Sequence, residues 1–142
     1  MRLTWNQWHK KVQSWNRKFP GAVKKAIDRA LVEMVGEAQR THLSGPKMPR
    51  GIGDRLHGTL QPRTGQLRNH MGKKSEQGVN KIRGWLTNNI KYAAVHEYGK
   101  TIVTPNAVIK MPERPFARPA VEAKRERLRK HIREEVLKAY GN

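Results

Sequence analysis

His96-Glu97 is the pair in this 142-residue chain that most invites a chemical reading. A zinc-peptidase site of the H-E-x-x-H kind needs a second His one helical turn on, so that both rings face the metal from one side. The residue there is Lys100. The other histidines, His9, His42, His57, His70 and His131, also lack a partner at i+3 or i+4. Zero Cys removes thiolate nucleophiles, disulfides and sulfur-held metal centres. Gly51-Ile52-Gly53 lacks the third glycine and the preceding strand of a dinucleotide loop, and no G-x-S-x-G elbow occurs. Asp28 and Asp54 stand without acidic neighbours, so no carboxylate dyad or Mg²⁺ cradle is supplied. Glu126 with Lys130, and Glu134 with Lys138, read as helix-surface ion pairs at i, i+4. The residues point to a protein with no catalytic centre, no cofactor and no metal.

Charge points to partners instead. Thirty Lys and Arg against eleven Asp and Glu leave a formal +19, well beyond the ~2–8 charges that solubility asks of a small domain. The surplus runs through all thirds of the chain, so the folded body itself is basic. Such a body favours an acidic neighbour: nucleic acid, an anionic membrane surface or an acidic protein. No apolar run approaches the ~18 residues of a membrane span, and Met1-Arg2-Leu3-Thr4-Trp5-Asn6 lacks an apolar signal core. A cytosolic site of synthesis and no membrane partner are therefore expected.

The elements that position these residues read as α+β, in one domain over residues 1–142. Residues 1–44 are helical. Thr4 is the expected N-cap, and Trp5, Trp8, Val12, Trp15 and Phe19 recur at spacings of three and four. Aromatics among Lys and Arg can stack bases, but at this spacing they read rather as core or subunit interface. Pro20-Gly21 is expected to break or kink the helix. A second helix with Val23, Ile27, Ala30, Leu31, Met34 and Ala38 inward should stop at Ser44-Gly45-Pro46. Residues 45–63 form a long loop rich in Gly and Pro, carrying Lys47, Arg50, Arg55 and Arg63, expected to order on a partner or to face DNA phosphates. Residues 64–116 form the sheet region. A helical turn begins at Thr64-Gly65, and a hairpin of 71–76 with 79–87 turns at Gln77-Gly78. Tyr92–Tyr98 is a short apolar element closed by Gly99. Strands 101–104 and 107–109 are split by Pro105-Asn106. Residues 117–140 form a final helix with Pro119 in its first turn. The N-terminal helices and this C-terminal helix are expected to pack on one small antiparallel sheet.

Three segments, in this order, carry a family resemblance: Arg63-Thr64-Gly65-Gln66-Leu67-Arg68-Asn69, Lys91-Tyr92-Ala93-Ala94-Val95-His96-Glu97-Tyr98-Gly99, and Met111-Pro112-Glu113-Arg114-Pro115-Phe116-Ala117-Arg118-Pro119-Ala120. Together they resemble the tail-completion proteins of tailed bacteriophages, which include the minor tail protein Z and virion-morphogenesis families. Those show a T-G-x-L turn, then Y-A-x-x-H/E-x-G, then P-x-R-P-F-x-x-P-A opening the last helix. The likeness spans residues 63–125; Ala117 stands where the family usually has Leu, and the family does not require so high a charge. It implies a non-enzymatic virion protein of the head–tail junction, assembled in the host cytoplasm. Such proteins form a ring, commonly of six, around the DNA path, between the head-side connector or head-completion protein and the tail tube or terminator. On this reading Arg114, Pro115, Phe116, Arg118, Tyr92, His96 and Tyr98 are ring-interface candidates. Packaged DNA is a further partner through non-specific phosphate contacts. A standalone nucleic-acid-binding module and a tail terminator ring are the rival readings.

Overall fold

Thr4 opens the first helix through a reciprocal capping box. Its Oγ1 accepts from the Gln7 N–H at 3.4 Å, and its own N–H donates to Gln7 Oε1 at 2.9 Å. The computed structural model describes residues 4–45 and 65–141. The helix α1 (Trp5–Glu37) runs unbroken for 33 residues, straight through Pro20. The expected break at Pro20-Gly21 is therefore corrected. A proline inside a helix costs ~3 kcal/mol, but here the long C-terminal helix α4 (Ala117–Tyr140) grips α1 on both sides of it. Tyr140 meets Trp15 edge-on at 5.1 Å and Phe19 at 6.3 Å before and beside the proline. Lys25 and Arg29 beyond it reach Glu135 and Glu134. A π-helical turn (Ala38–His42) ends the run at Leu43, as the Ser44-Gly45 stop implied.

The two long helices lie antiparallel, joined by small buried residues and ion pairs. Ala26, Ala30 and Ala120 are buried, which lets the backbones approach closely. Lys25–Glu135 (3.2 Å), Arg127–Glu33 (3.1 Å) and Lys124–Glu37 (2.9 Å) stitch the seam. The pairs expected along α4 itself are different: Glu126 pairs with Arg129, and Glu134 with Lys130 and Arg29. Lys138 instead meets Glu135. Glu134 and Glu135 turn toward α1 because the buried seam faces them.

After a single helical turn, α2 (Gln66–Asn69), strands β1 (Met71–Gln77) and β2 (Ile82–Asn88) form an antiparallel hairpin, with Ser75 opposite Gly84. Val79, expected in the second strand, sits fully exposed in the connecting turn. Gly84 lets this hairpin lie directly on α1: a Cβ there would come within 2.9 Å of both Ile27 Cγ2 and Leu31 Cδ1. Ser75 and Lys24 both bond Asp28, at 2.5 and 2.8 Å, fixing the register of hairpin against helix. A short helix α3 (Ala93–Tyr98) follows, then a second hairpin of β3 (Lys100–Thr104) and β4 (Ala107–Met111). The strands thus make two separate two-stranded sheets, where one sheet was expected. Helix α3 intervenes between β2 and β3, so each hairpin closes on itself. The fold class is α+β.

One core cluster gathers Ala38, Leu43, Met71, Ala93, Phe116 and Ala120; a second gathers Ala30, Leu31 and Met34. Beside the latter is an apolar cavity of about 250 Å³ bordered by Ile27, Ile82, Leu86, Val121 and Leu128.

Candidate interaction site

Helix α4 starts at Phe116-Ala117, with no Ser, Thr, Asp or Asn to cap it and no acidic residue in its first turn. Its N–H groups would be left without acceptors. Glu97, from α3, supplies them. Its Oε2 accepts from Phe116 N–H at 2.8 Å and Ala117 N–H at 3.0 Å, and its Oε1 accepts from Arg118 N–H at 2.9 Å. The Arg118 guanidinium closes the arrangement, donating from Nε to Glu97 Oε1 at 3.3 Å and from Nη2 to the Glu97 carbonyl at 2.9 Å and to Glu113 at 3.0 Å. Burial pushes the Glu97 carboxyl up, but the three N–H donors and the guanidinium outweigh it and hold it below the ordinary glutamate value. The positive end of the helix dipole acts in the same direction.

The local sequence explains how Glu97 gets there. Ala93 and Glu97 are one helical turn apart, so both face inward from α3; Ala93 joins the core beside Phe116. Tyr92 and His96 share another face and meet edge-on at 5.6 Å. Gly99 then turns the chain at φ +68°, and a Cβ there would lie 3.0 Å from the Glu113 nitrogen and 3.1 Å from the Met111 carbonyl. Only glycine combines that dihedral with so close a neighbouring backbone. The Arg114 N–H donates to the His96 carbonyl at 2.7 Å, tying the proline-rich connector to α3.

The site residues expected from sequence divide into three groups. Tyr92, capping α3, and His96 come together, whereas Tyr98 lies on a different side of the helix, 68% exposed, with the Arg118 guanidinium 5.5 Å above its ring. Arg114 and Pro115 are half-buried in the connector beside them. Phe116 is not an interface side chain: at 3% exposure it belongs to the chain's own core, against Ala38, Leu43 and Met71. The connector delivers Phe116 inward because Glu97 draws the helix start down onto α3. The basic-loop positions Lys47, Arg50, Arg55 and Arg63, with Thr64, lie outside the described residues. In the sequence Glu97 stands out as half of a His-Glu metal pair, whereas its role in the structure is to cap a helix. The signal for it was a helix whose start has no capping side chain of its own.

The arrangement holds the start of α4 against α3. Both Glu97 oxygens are occupied by donors, so the carboxylate has no free lone pair aimed at a substrate. Among the described residues no three His, Asp or Glu gather as a metal-ligand set. A shallow groove of about 570 Å³ runs past Tyr98, Lys100, Lys110 and Pro112, open to the surface. The β3–β4 hairpin beside it carries exposed Val103, Val108 and Ile109. Compared with protein-family models, with curated proteins and with solved structures, the chain gives no match.

Proposed function

We propose that this chain is a structural virion protein of a tailed bacteriophage, a tail-completion or head–tail joining protein that assembles as a ring at the neck. It works by surface complementarity between copies and with the head-side connector and tail tube, around the DNA path, and catalyses nothing. The observation that carries this reading is the coupling of two of the segments on which the resemblance rests. Glu97 of the segment 91–99 caps the helix opened by the segment 111–120, through three N–H bonds of 2.8–3.0 Å. Segments that match separately in sequence thereby form one physical unit. A second support is the apolar surface next to that unit. Tyr98, Val103, Val108 and Ile109 are all exposed there, with Val103 and Val108 paired across the strands on one side of the hairpin and Ile109 on the other, as a subunit that is completed by its neighbour would carry them.

Sedimentation of the purified protein across a concentration series, followed by electron microscopy of any large species, tests the reading. A closed ring, weakened by charge placed at Val103 and Val108, is the expected result. A protein that stays monomeric at high concentration and is missing from purified virions refutes it. The surplus of +19 supports a second reading, a standalone nucleic-acid-binding module. Tight DNA binding by the monomer, with a steep fall of log affinity against log salt, would favour that module.

A further inference from the structure

The first helix is longer than the helix that covers it. Contacts along the α1–α4 seam run antiparallel, from Lys124–Glu37 through His131–Glu33 and Lys25–Glu135 to Tyr140 against Trp15 and Phe19, where α4 ends. Trp5, Trp8 and Val12 lie beyond that end, on an overhang of ~15 Å at 1.5 Å per residue. Trp5 is 73% exposed and Trp8 46%, stacked on each other at 5.3 Å. They are therefore outside the core of the chain.

The overhang continues the seam in strict register. Trp5, Trp8, Val12, Trp15, Phe19, Ala22 and Ala26 occupy alternating a and d positions of a heptad. Ala26, within the α4-covered half, is fully buried. Lys11, Lys18 and Lys25 are spaced by seven, at the g position, where coiled coils place interhelical ion pairs. Lys25 has its carboxylate, Glu135 of α4, at 3.2 Å. Lys11 lies over the Trp15 ring at 5.4 Å, and neither it nor Lys18 has a carboxylate partner among the described residues. The one g lysine that α4 covers thus meets a Glu, while farther along the seam the acids Glu33 and Glu37 of α1 meet Arg127 and Lys124.

We propose that the first turns of α1 form one strand of an intermolecular coiled coil, whose other strand is an acidic amphipathic helix of a partner protein. A second copy of the overhang is the wrong occupant. The chain has seven Lys and Arg and no Asp or Glu before Asp28, so like would meet like. A nucleic-acid strand would satisfy the lysines but leave an apolar ridge running along a helix without a matching ridge. This site is distinct from the α3–connector unit and does not depend on the neck assignment.

The test uses the full chain and two three-heptad peptides with Ile and Leu at a and d, one with Glu and the other with Lys at e and g. Tryptophan emission should shift to the blue with the Glu peptide only. Trp5→Ala with Trp8→Ala should abolish the shift. Lys11→Glu with Lys18→Glu should weaken the Glu peptide about tenfold and transfer preference to the Lys peptide. Equal response to both peptides, or none, overturns the proposal. So does concentration-dependent self-association that buries the tryptophans, which assigns the stripe to a second copy. Shielding of Trp5 and Trp8 from acrylamide in the isolated monomer would show that the chain covers its own stripe, and would also overturn it.

Discussion

Removing the Glu97 carboxylate should destabilise the fold more than any other single charge change. Glu97→Ala leaves the N–H groups of Phe116, Ala117 and Arg118 without their acceptor at the start of a 24-residue helix. It also removes one of the two carboxylates that hold the Arg118 guanidinium, which keeps Glu113. A lost N-cap alone costs ~1 kcal/mol, and hydrogen bonds to a charged group contribute ~1.5–3 kcal/mol each. They do not add in full, because the mutant no longer keeps a carboxylate buried at 5% exposure. Each N–H left without an acceptor costs ~1–3 kcal/mol, and three that share one carboxylate give an expected loss of ~3–5 kcal/mol in all. Against ~5–15 kcal/mol of total stability it is a large share, and it should lower the melting temperature by ~10–20 °C. Glu97→Gln keeps one acceptor oxygen but turns an NH₂ toward donors, so a loss of ~2 kcal/mol is expected. Urea unfolding followed by far-UV circular dichroism measures both. If Glu97→Ala unfolds within ~1 kcal/mol of the parent, or Glu97→Gln is neutral, the capping argument is wrong.

The depressed Glu97 carboxyl stabilises the fold above its ordinary pKa of about 4.3, and the contribution is lost as pH falls through the lower folded value. Asp28, held low by Lys24 and Ser75, acts with the same sign, so unfolding free energy should hold steady from neutral pH to about 5 and fall below about 4, with a shallower acid limb in Glu97→Gln. Phe116→Ala should cost ~3–5 kcal/mol as a core truncation, whereas Tyr98→Ala should leave monomer stability within ~0.5 kcal/mol while weakening self-assembly, as thermal melts and sedimentation would show. Gly99→Ala should cost ~1–3 kcal/mol through its positive φ. Gly84→Ala forces Ile27 and Leu31 to move but borders the 250 Å³ cavity that can receive them, so ~1 kcal/mol is expected by urea titration.

Local signals in the sequence were strong wherever one short-range rule decided the outcome. Thr4 with Gln7, Gly65 and Gly99 at positive φ, and Pro119 inside the first turn of α4 each follow from neighbours within a few residues. Pro20 misled because its effect is decided far away, by Tyr140, Glu134 and Glu135 across the seam. Phe116 misled for a related reason. A Phe between prolines and arginines looks like a surface anchor until Glu97 fixes the direction of the helix that follows it. The tryptophan stripe was visible as a helical face, but its length relative to α4 was not. That comparison needs the register of two helices separated in sequence by residues 38–116.

The same register divides the charge of α1 into two unlike halves. From Phe19 to Glu37, Lys24, Lys25 and Arg29 are balanced by Asp28, Glu33 and Glu37. Burial pushes Glu33 up, but His131 and Arg127 hold it below its ordinary value, and Lys124 and Thr41 hold Glu37 low. From Thr4 to Lys18, Lys10, Lys11, Arg17 and Lys18 face no carboxylate on the helix at all. The three acids of α1 all sit where α4 and the hairpin close on it, and the overhang is left wholly cationic. Repulsion along those four residues disfavours the helix end where it stands alone, and salt or an anionic partner relieves it. The apolar ridge on the same turns is equally uncovered. Both defects are removed by one kind of neighbour, a helix that is apolar on one side and acidic at the flanks, and α4 already supplies such acids to Lys25 and Arg29 through Glu135 and Glu134.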